Sequence, residues 1–216
     1  MRYFLGMKNL IKTLAIVFAL SLLSGFATAQ NVLPPPDESE TEVPIQPPEK
    51  QQAIIQSEEN LDALFAKLRN DPNIKTANGT ARAIWREWTA SGSKSIDLLM
   101  SWAGAAMGRS DFAKAEDLLD QVTVLAPDYA EGWNRRATLY FQKSDLSRSI
   151  ADIETTLSLE PRHFGALSGL AVILNRLDRK QEALDTWYKV LEIYPANQTA
   201  QKAVIDLEEE LAGSNT

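Results

Sequence analysis

The sequence predicts an all-α fold, a stacked array of antiparallel helix pairs, on three observations. Pro127, Pro161 and Pro195 recur at intervals of 34 residues, each after a run of good helix formers, in LAPDYAEGW, LEPRHFGAL and IYPANQTAQ. From Lys50 onward apolar residues recur at spacings of three and four, and the breaks between runs carry Gly, Pro, Asp or Ser, as amphipathic helices joined by turns require. Aligned on the 34-residue period, the helices fall into pairs and small residues coincide at Ala103, Ala137 and Ala171.

Residues 1–29 differ from everything that follows. Arg2, Lys8 and Lys12 precede an apolar stretch from Leu14 to Leu23, and Ala27-Thr28-Ala29 supplies small residues at minus three and minus one of a cleavage point. That is the layout of a cleaved signal peptide. About ten apolar residues are too few to span a bilayer, which takes roughly 20. We therefore expect cleavage after Ala29, a periplasmic mature chain and no stable membrane insertion.

Loss of the leader removes Arg2, Lys8 and Lys12 and no acid, leaving 19 basic and 29 acidic residues, net −10. This balance opposes nonspecific attachment to nucleic acid or anionic lipid. Residues 30–50, QNVLPPPDESETEVPIQPPEK, hold six prolines and five acids. Such a segment cannot bury enough apolar surface to offset its ordering entropy, so a disordered acidic linker is expected.

The helical region divides into units of one length. Residues 96–129, 130–163 and 164–197 are three successive repeats, residues 51–95 read as a degenerate helix pair, and residues 198–212 as a closing helix. Within the repeats, position 4 is Leu99, Trp133 and Leu167; position 8 is Ala103, Ala137 and Ala171. Position 20 is Ala115, Ser149 and Ala183, position 24 Leu119, Ile153 and Trp187, and position 27 Val122, Thr156 and Val190. Small residues are needed where helices approach closely, and proline at 32 ends the second helix.

This pattern resembles the tetratricopeptide repeat, with a large residue at 4, small ones at 8, 20 and 27, aromatics at 11 and 24, and proline at 32. The resemblance covers about 150 residues by the period count and implies a solenoid of antiparallel helix pairs with a C-terminal capping helix. Counting back one period from Ile96 places Phe65, Leu68, Ala81, Trp85 and Trp88 at positions 4, 7, 20, 24 and 27, but Pro72 falls at 11 and cuts the first helix short. At the other end, Ala200, Val204, Leu207 and Leu211 form an apolar side that covers the last repeat, which would otherwise expose its apolar face.

The inventory for chemistry is thin. Without cysteine there are no disulfides, thiolate nucleophiles or sulfur-ligated metals, and one histidine, His163, leaves little imidazole chemistry. Glu116-Asp117 and Glu208-Glu209-Glu210 read as solvated helical faces, His163 as a turn residue packing against Phe164 or solvent, and Ser149 and Ser168 lack a base at useful spacing. No catalytic residue, metal site or cofactor is expected.

What remains is a binding surface. In the family that this chain resembles, first-helix positions 2, 5, 6, 9, 12 and 13 line a groove. Here they are Asp97, Met100, Ser101, Gly104, Met107 and Gly108; Glu131, Asn134, Arg135, Thr138, Phe141 and Gln142; and Gly165, Ser168, Gly169, Val172, Asn175 and Arg176. The peptide-binding residues we expect are Met100, Asn134, Arg135, Thr138, Phe141, Gln142, Val172, Asn175 and Arg176. Arg135 and Arg176 suit a protein or peptide with acidic or carboxylate groups, unless Glu131 or Asp178 pairs with them.

The groove lacks the carboxylate clamp by which some members hold chaperone C-termini, because Met100, Gly104, Arg135, Gly165 and Gly169 stand at the clamp positions. Arg136, at the interhelix position 7, is expected to need Asp152 or Glu154 as a partner. The layout resembles small exported envelope proteins of the family. It implies a noncatalytic interaction scaffold for cell-envelope assembly or integrity, or else an accessory subunit regulating a peptidoglycan or outer-membrane enzyme.

Overall fold

A computed structural model describes residues 49–213, with side chains from Ser57 onward. The leader and most of the acidic linker lie outside the described residues. Helices α1 (Glu49–Asn70) and α2 (Ile74–Thr89) come first. Then follow α3 (Lys94–Gly108) with α4 (Phe112–Leu125), α5 (Ala130–Gln142) with α6 (Leu146–Leu159), α7 (Phe164–Arg176) with α8 (Lys180–Ile193), and α9 (Gln198–Gly213). Among the described residues every regular element is helical. Each repeat is one hairpin, and each hairpin packs on the next through α4 on α5, α6 on α7 and α8 on α9.

The period is visible in the backbone itself. Pro127, Pro161 and Pro195 sit at the second position of three equivalent turns, closed by the N–H groups of Tyr129, His163 and Asn197 donating to the carbonyls of Ala126, Glu160 and Tyr194, the place where proline's fixed φ suits a turn. Within the hairpins, Ser110, Ser144 and Asp178 adopt positive φ of 58°, 59° and 58°. Asp111 and Asp145 then cap α4 and α6 by accepting the N–H groups of Lys114 and Arg148, each cap contributing about 1 kcal/mol.

Small residues set the closest approaches. Ala103, Ala137 and Ala171, with Ala115, Ser149 and Ala183, are buried where paired helices cross. At the middle crossing Ser149 Oγ donates to the Ala137 carbonyl oxygen at 2.8 Å, so the hydroxyl is satisfied where alanine stands in the other repeats. On α9, Ala200, Val204 and Leu207 are buried in one cluster with Trp187 and Val190 of α8, and Leu211 packs at its edge. Burying a Val or Leu contributes about 1.5–3 kcal/mol; α9 closes the apolar end of the array.

The N-terminal hairpin departs from repeat register. The 34-residue count would stack α2 on α3, yet α1 packs on α8 and α2 on α5. Phe65, Leu68, Ala77, Ala81, Ile84 and Trp88 share a core with Phe164, Leu167 and Tyr194 of the third repeat, whereas the core of the first repeat contains no described residue of α1 or α2. Asn73 caps α2 through Lys75 and Thr76, and Asp71-Pro72 forces the break from α1. From there α2 follows the inter-repeat turns: Tyr194 Oη donates to Asn78 Oδ1, Trp88 stacks on His163, and Tyr129 Oη donates to the Thr89 carbonyl oxygen at 3.0 Å.

Candidate functional site

Between α5 and α7 lies a cavity of about 300 Å³. Its walls on the first helices are Asn134, Thr138 and Phe141 of α5 and Gly165, Ser168, Gly169 and Val172 of α7. Its floor comes from further back, from Ile153 of α6, Trp187 of α8 and Thr199 of α9. The cleft reaches down to this floor because Ala137 and Gly169 carry so little side chain; an added Cβ at Gly169 would stand 3.6 Å from Ile153 Cδ1. Four of the expected peptide-binding residues therefore meet here: Asn134, Thr138, Phe141 and Val172. Ile153, Trp187 and Thr199 are missed by a rule confined to first-helix positions, although glycines spaced by four at 165 and 169 signal an opening.

The other expected residues are distributed along the same face. Val172 and Asn175 border a neighbouring hollow with Lys202 and Asp206 of α9. Met100 and Arg135 line a third hollow with Asp97, Ser101, Gly104 and Tyr129. Gln142 is exposed at the end of α5. Arg176 lies one helical turn beyond Val172, its Nη2 3.5 Å from Ser144 Oγ, and no carboxylate among the described residues pairs with it. Asp178 reaches Lys180 instead.

Two expectations are corrected at the N-terminal ends of α5 and α7. Glu131, placed on the groove by its position, is fully buried. It accepts Asn134 Nδ2 at 2.7 Å and Arg135 Nη2 at 3.0 Å, and His163 Nε2 stands 3.4 Å away. Arg135 is thereby neutralised within the chain. Burial pushes the Glu131 carboxyl up, but His163 and Arg135 outweigh it and hold the group below its ordinary range. His163, read as a turn residue packing against Phe164 or solvent, does stand in the turn before α7 but has no exposed surface. Its Nδ1 accepts the Ala166 N–H at 3.0 Å and caps α7; because Nδ1 is an acceptor, the ring proton belongs on Nε2, toward Glu131. Trp88 stacks on the ring at 4.0 Å, and Trp85 meets it edge-on.

Arg136 has the kind of partner that its position demanded. Nε and Nη2 form a two-pronged pair with Asp152, both bonds 2.8 Å, while Nη1 reaches Asp120 and Thr123. Asp152 chiefly, against the effect of burial, raises the guanidinium pKa above its ordinary value. The guanidinium also lies over the Trp133 ring at 4.8 Å. The acidic clusters are in surface pairs: Glu116 with Lys143 and Arg148, Glu210 with Lys180, and Glu208 with Tyr188. Among the described residues no group of acids and histidine could hold a metal ion, and no helix is long and apolar enough to cross a membrane.

A TPR repeat-containing protein of Rhizobium etli is 45% identical over 168 residues, spanning 78% of this chain and 82% of its own. The chain belongs to the tetratricopeptide-repeat family. The tetratricopeptide-repeat family model matches residues 101–154 and 134–198, which run from the middle of α3 to the start of α9. Among solved tetratricopeptide structures, the Sgt2 domain of Aspergillus fumigatus aligns with a TM-score of 0.52 at 22% identity, over 57% of this chain and 83% of that one. The first such domain of Spaghetti (RPAP3), bound to an HSP90 peptide SRMEEVD, aligns at 0.53 and 20% identity over 56% and 95%. MamA aligns at 0.51 and 15% identity over 76% and 83%. These three share the tetratricopeptide fold.

Proposed function

We propose that this tetratricopeptide protein is an exported, noncatalytic scaffold that holds a protein or peptide segment on its first-helix face and supports assembly or integrity of the cell envelope. The observation that carries the reading is the cavity between α5 and α7, where four expected groove residues converge on an apolar floor. The RPAP3 domain holds a peptide, and a segment-binding face is the property we carry over from it. Chaperone-tail recognition is not carried over, since Met100, Gly104, Gly165 and Gly169 offer none of the charged or amide groups that a carboxylate clamp uses. Export rests on Arg2, Lys8, Lys12, the Leu14 to Leu23 stretch and Ala27-Thr28-Ala29, which lie outside the described residues.

Photo-crosslinking from position 138 tests the site. Thr138 is exposed and lines the cavity, so a crosslinker there should capture a defined protein segment when the full chain is expressed in its own cells. A crosslinker replacing Lys189 on α8 should not capture the same segment. Capture from Lys189 alone would overturn the groove reading. Mature chain beginning at Met1 in a membrane fraction, rather than at Gln30 in the periplasmic one, would overturn export.

A further inference from the structure

Recognition on this face was expected to begin with two arginines. The structure leaves one of them available and puts an apolar chamber beside it. Glu131 holds Arg135, whereas Arg176 stands at the other end of the cleft between α5 and α7 with only the Ser144 hydroxyl at 3.5 Å. Between them the chamber is walled by Phe141 and Val172 and floored by Ile153 and Trp187. At about 300 Å³ it is at the small end of ligand pockets, a size for a bulky side chain rather than for a cofactor.

We propose that this chamber takes one large aliphatic or aromatic side chain of an extended partner segment, and that a carboxylate two residues further along that segment pairs with Arg176. The inference rests on the scaffold reading above and specifies its partner. Charge complementarity fixes the occupant's second feature: in this cleft Arg176 is the cation without a carboxylate among the described residues, and an arginine can grip one with two parallel bonds. Spacing fixes the arrangement. Arg176 is one turn, about 5.4 Å, beyond Val172 along α7, and alternate residues of an extended chain are about 7 Å apart on the same side. Burying the apolar side chain supplies most of the affinity, and the ion pair sets direction and register.

The test uses the full mature chain and synthetic hexapeptide amides, acetylated, built of glycine and serine except for leucine at the third position and aspartate at the fifth. Binding is followed by changes in Trp187 environment and by titration calorimetry. The leucine/aspartate peptide should bind at least tenfold more tightly than its leucine-to-alanine version. Arg176→Gln should weaken it three- to tenfold, and should leave the aspartate-to-asparagine peptide unaffected. Gly169→Leu, which fills the chamber, should abolish binding. Val172→Glu, at an exposed position, should do so without touching the core, by presenting Arg176 with an internal acid.

Equal binding of the leucine and alanine peptides overturns the proposal, as does no binding of the leucine/aspartate peptide at its solubility limit, or unchanged binding by Val172→Glu. If crosslinking from position 138 still captures a segment, only this inference falls. If neither experiment yields binding, the scaffold reading falls with it.

Discussion

Gly165 and Gly169 lie one turn apart on the same face of α7 and have opposite surroundings. An added Cβ at Gly165 would stand 2.7 Å from two ring carbons of Trp85, brought in by α2, while at Gly169 the nearest atom is Ile153 Cδ1 at 3.6 Å and the space beyond is open. Both glycines create room. At one the chain fills that room itself, with Trp85 and Trp88 over the buried Glu131–His163 pair; at the other it leaves an apolar chamber. A gap among small residues thus becomes core or binding site according to whether a distant segment reaches it.

The filled end should be the more costly to disturb. Trp88 is buried against Phe65, His163 and Phe164, and Trp88→Ala should lower stability by about 3–5 kcal/mol, read from the urea midpoint at constant slope. A loss below about 1 kcal/mol would mean that α2 is not seated on the third repeat as described, and would collapse the contrast between the two ends.

A second test moves to the flank of α5. Arg136→Leu introduces the residue type found at the equivalent Leu170, but it strands the buried Asp152 carboxylate, so a loss of about 3 kcal/mol is expected. Removing Asp152 as well, in Arg136→Leu/Asp152→Ala, should recover much of it. If Arg136→Leu alone melts no lower than the parent, the arginine has no net stabilising role.

Much of this was legible because a solenoid is nearly one-dimensional, each hairpin touching its neighbours. The 34-residue period located the turns at Pro127, Pro161 and Pro195, the buried alanines, the closing helix and the need of Arg136 for a carboxylate at Asp152 or Glu154, all within one repeat length. What periodicity cannot report is contact across many repeats, such as Asn78 with Tyr194 or Asp62 with Arg162. The seating of α2 and the burial of Glu131 and His163 belong with those distant contacts, whereas the pairing of Arg135 with Glu131 is local, one turn apart on α5. One signal was present: Trp88 falls at position 27, where the other units carry Val122, Thr156 and Val190, and so large a ring does not fit beneath a following helix. The chamber floor escaped for a different reason, since Ile153 and Trp187 are core positions by register and border the cleft only because Gly169 has no side chain to cover them.

Acid should weaken the filled end before the open one. The folded-state pKa of Glu131 lies below its ordinary value of about 4.5, so its contribution to stability is complete above pH 4.5 and is lost as pH falls through the lower folded value. Urea midpoints taken from pH 6 down to pH 3 should therefore drop more steeply for the parent than for Glu131→Gln, which has no proton to take up at that site. Parallel curves would show that the buried carboxylate is not held by His163 and Arg135 as the geometry indicates.

The smallest effect is the sharpest test of the comparison, because the same change is made at both glycines. In a helix interior, replacing glycine by alanine stabilises by about 0.5–1 kcal/mol through lost freedom in the unfolded chain. At Gly169 the new methyl meets Ile153 Cδ1 at ordinary contact distance, so Gly169→Ala should keep that gain and raise the midpoint slightly. At Gly165 the methyl must displace Trp85, whose ring is already wedged edge-on against Trp88, His163 and Phe164. Overpacking of that kind costs about 1–3 kcal/mol, more than the helix gains, so Gly165→Ala should be destabilising. The two variants differ by one helical turn and should differ in sign; equal stabilisation by both would mean that Trp85 yields freely and that the closed end of the cleft is as open to a partner as the chamber.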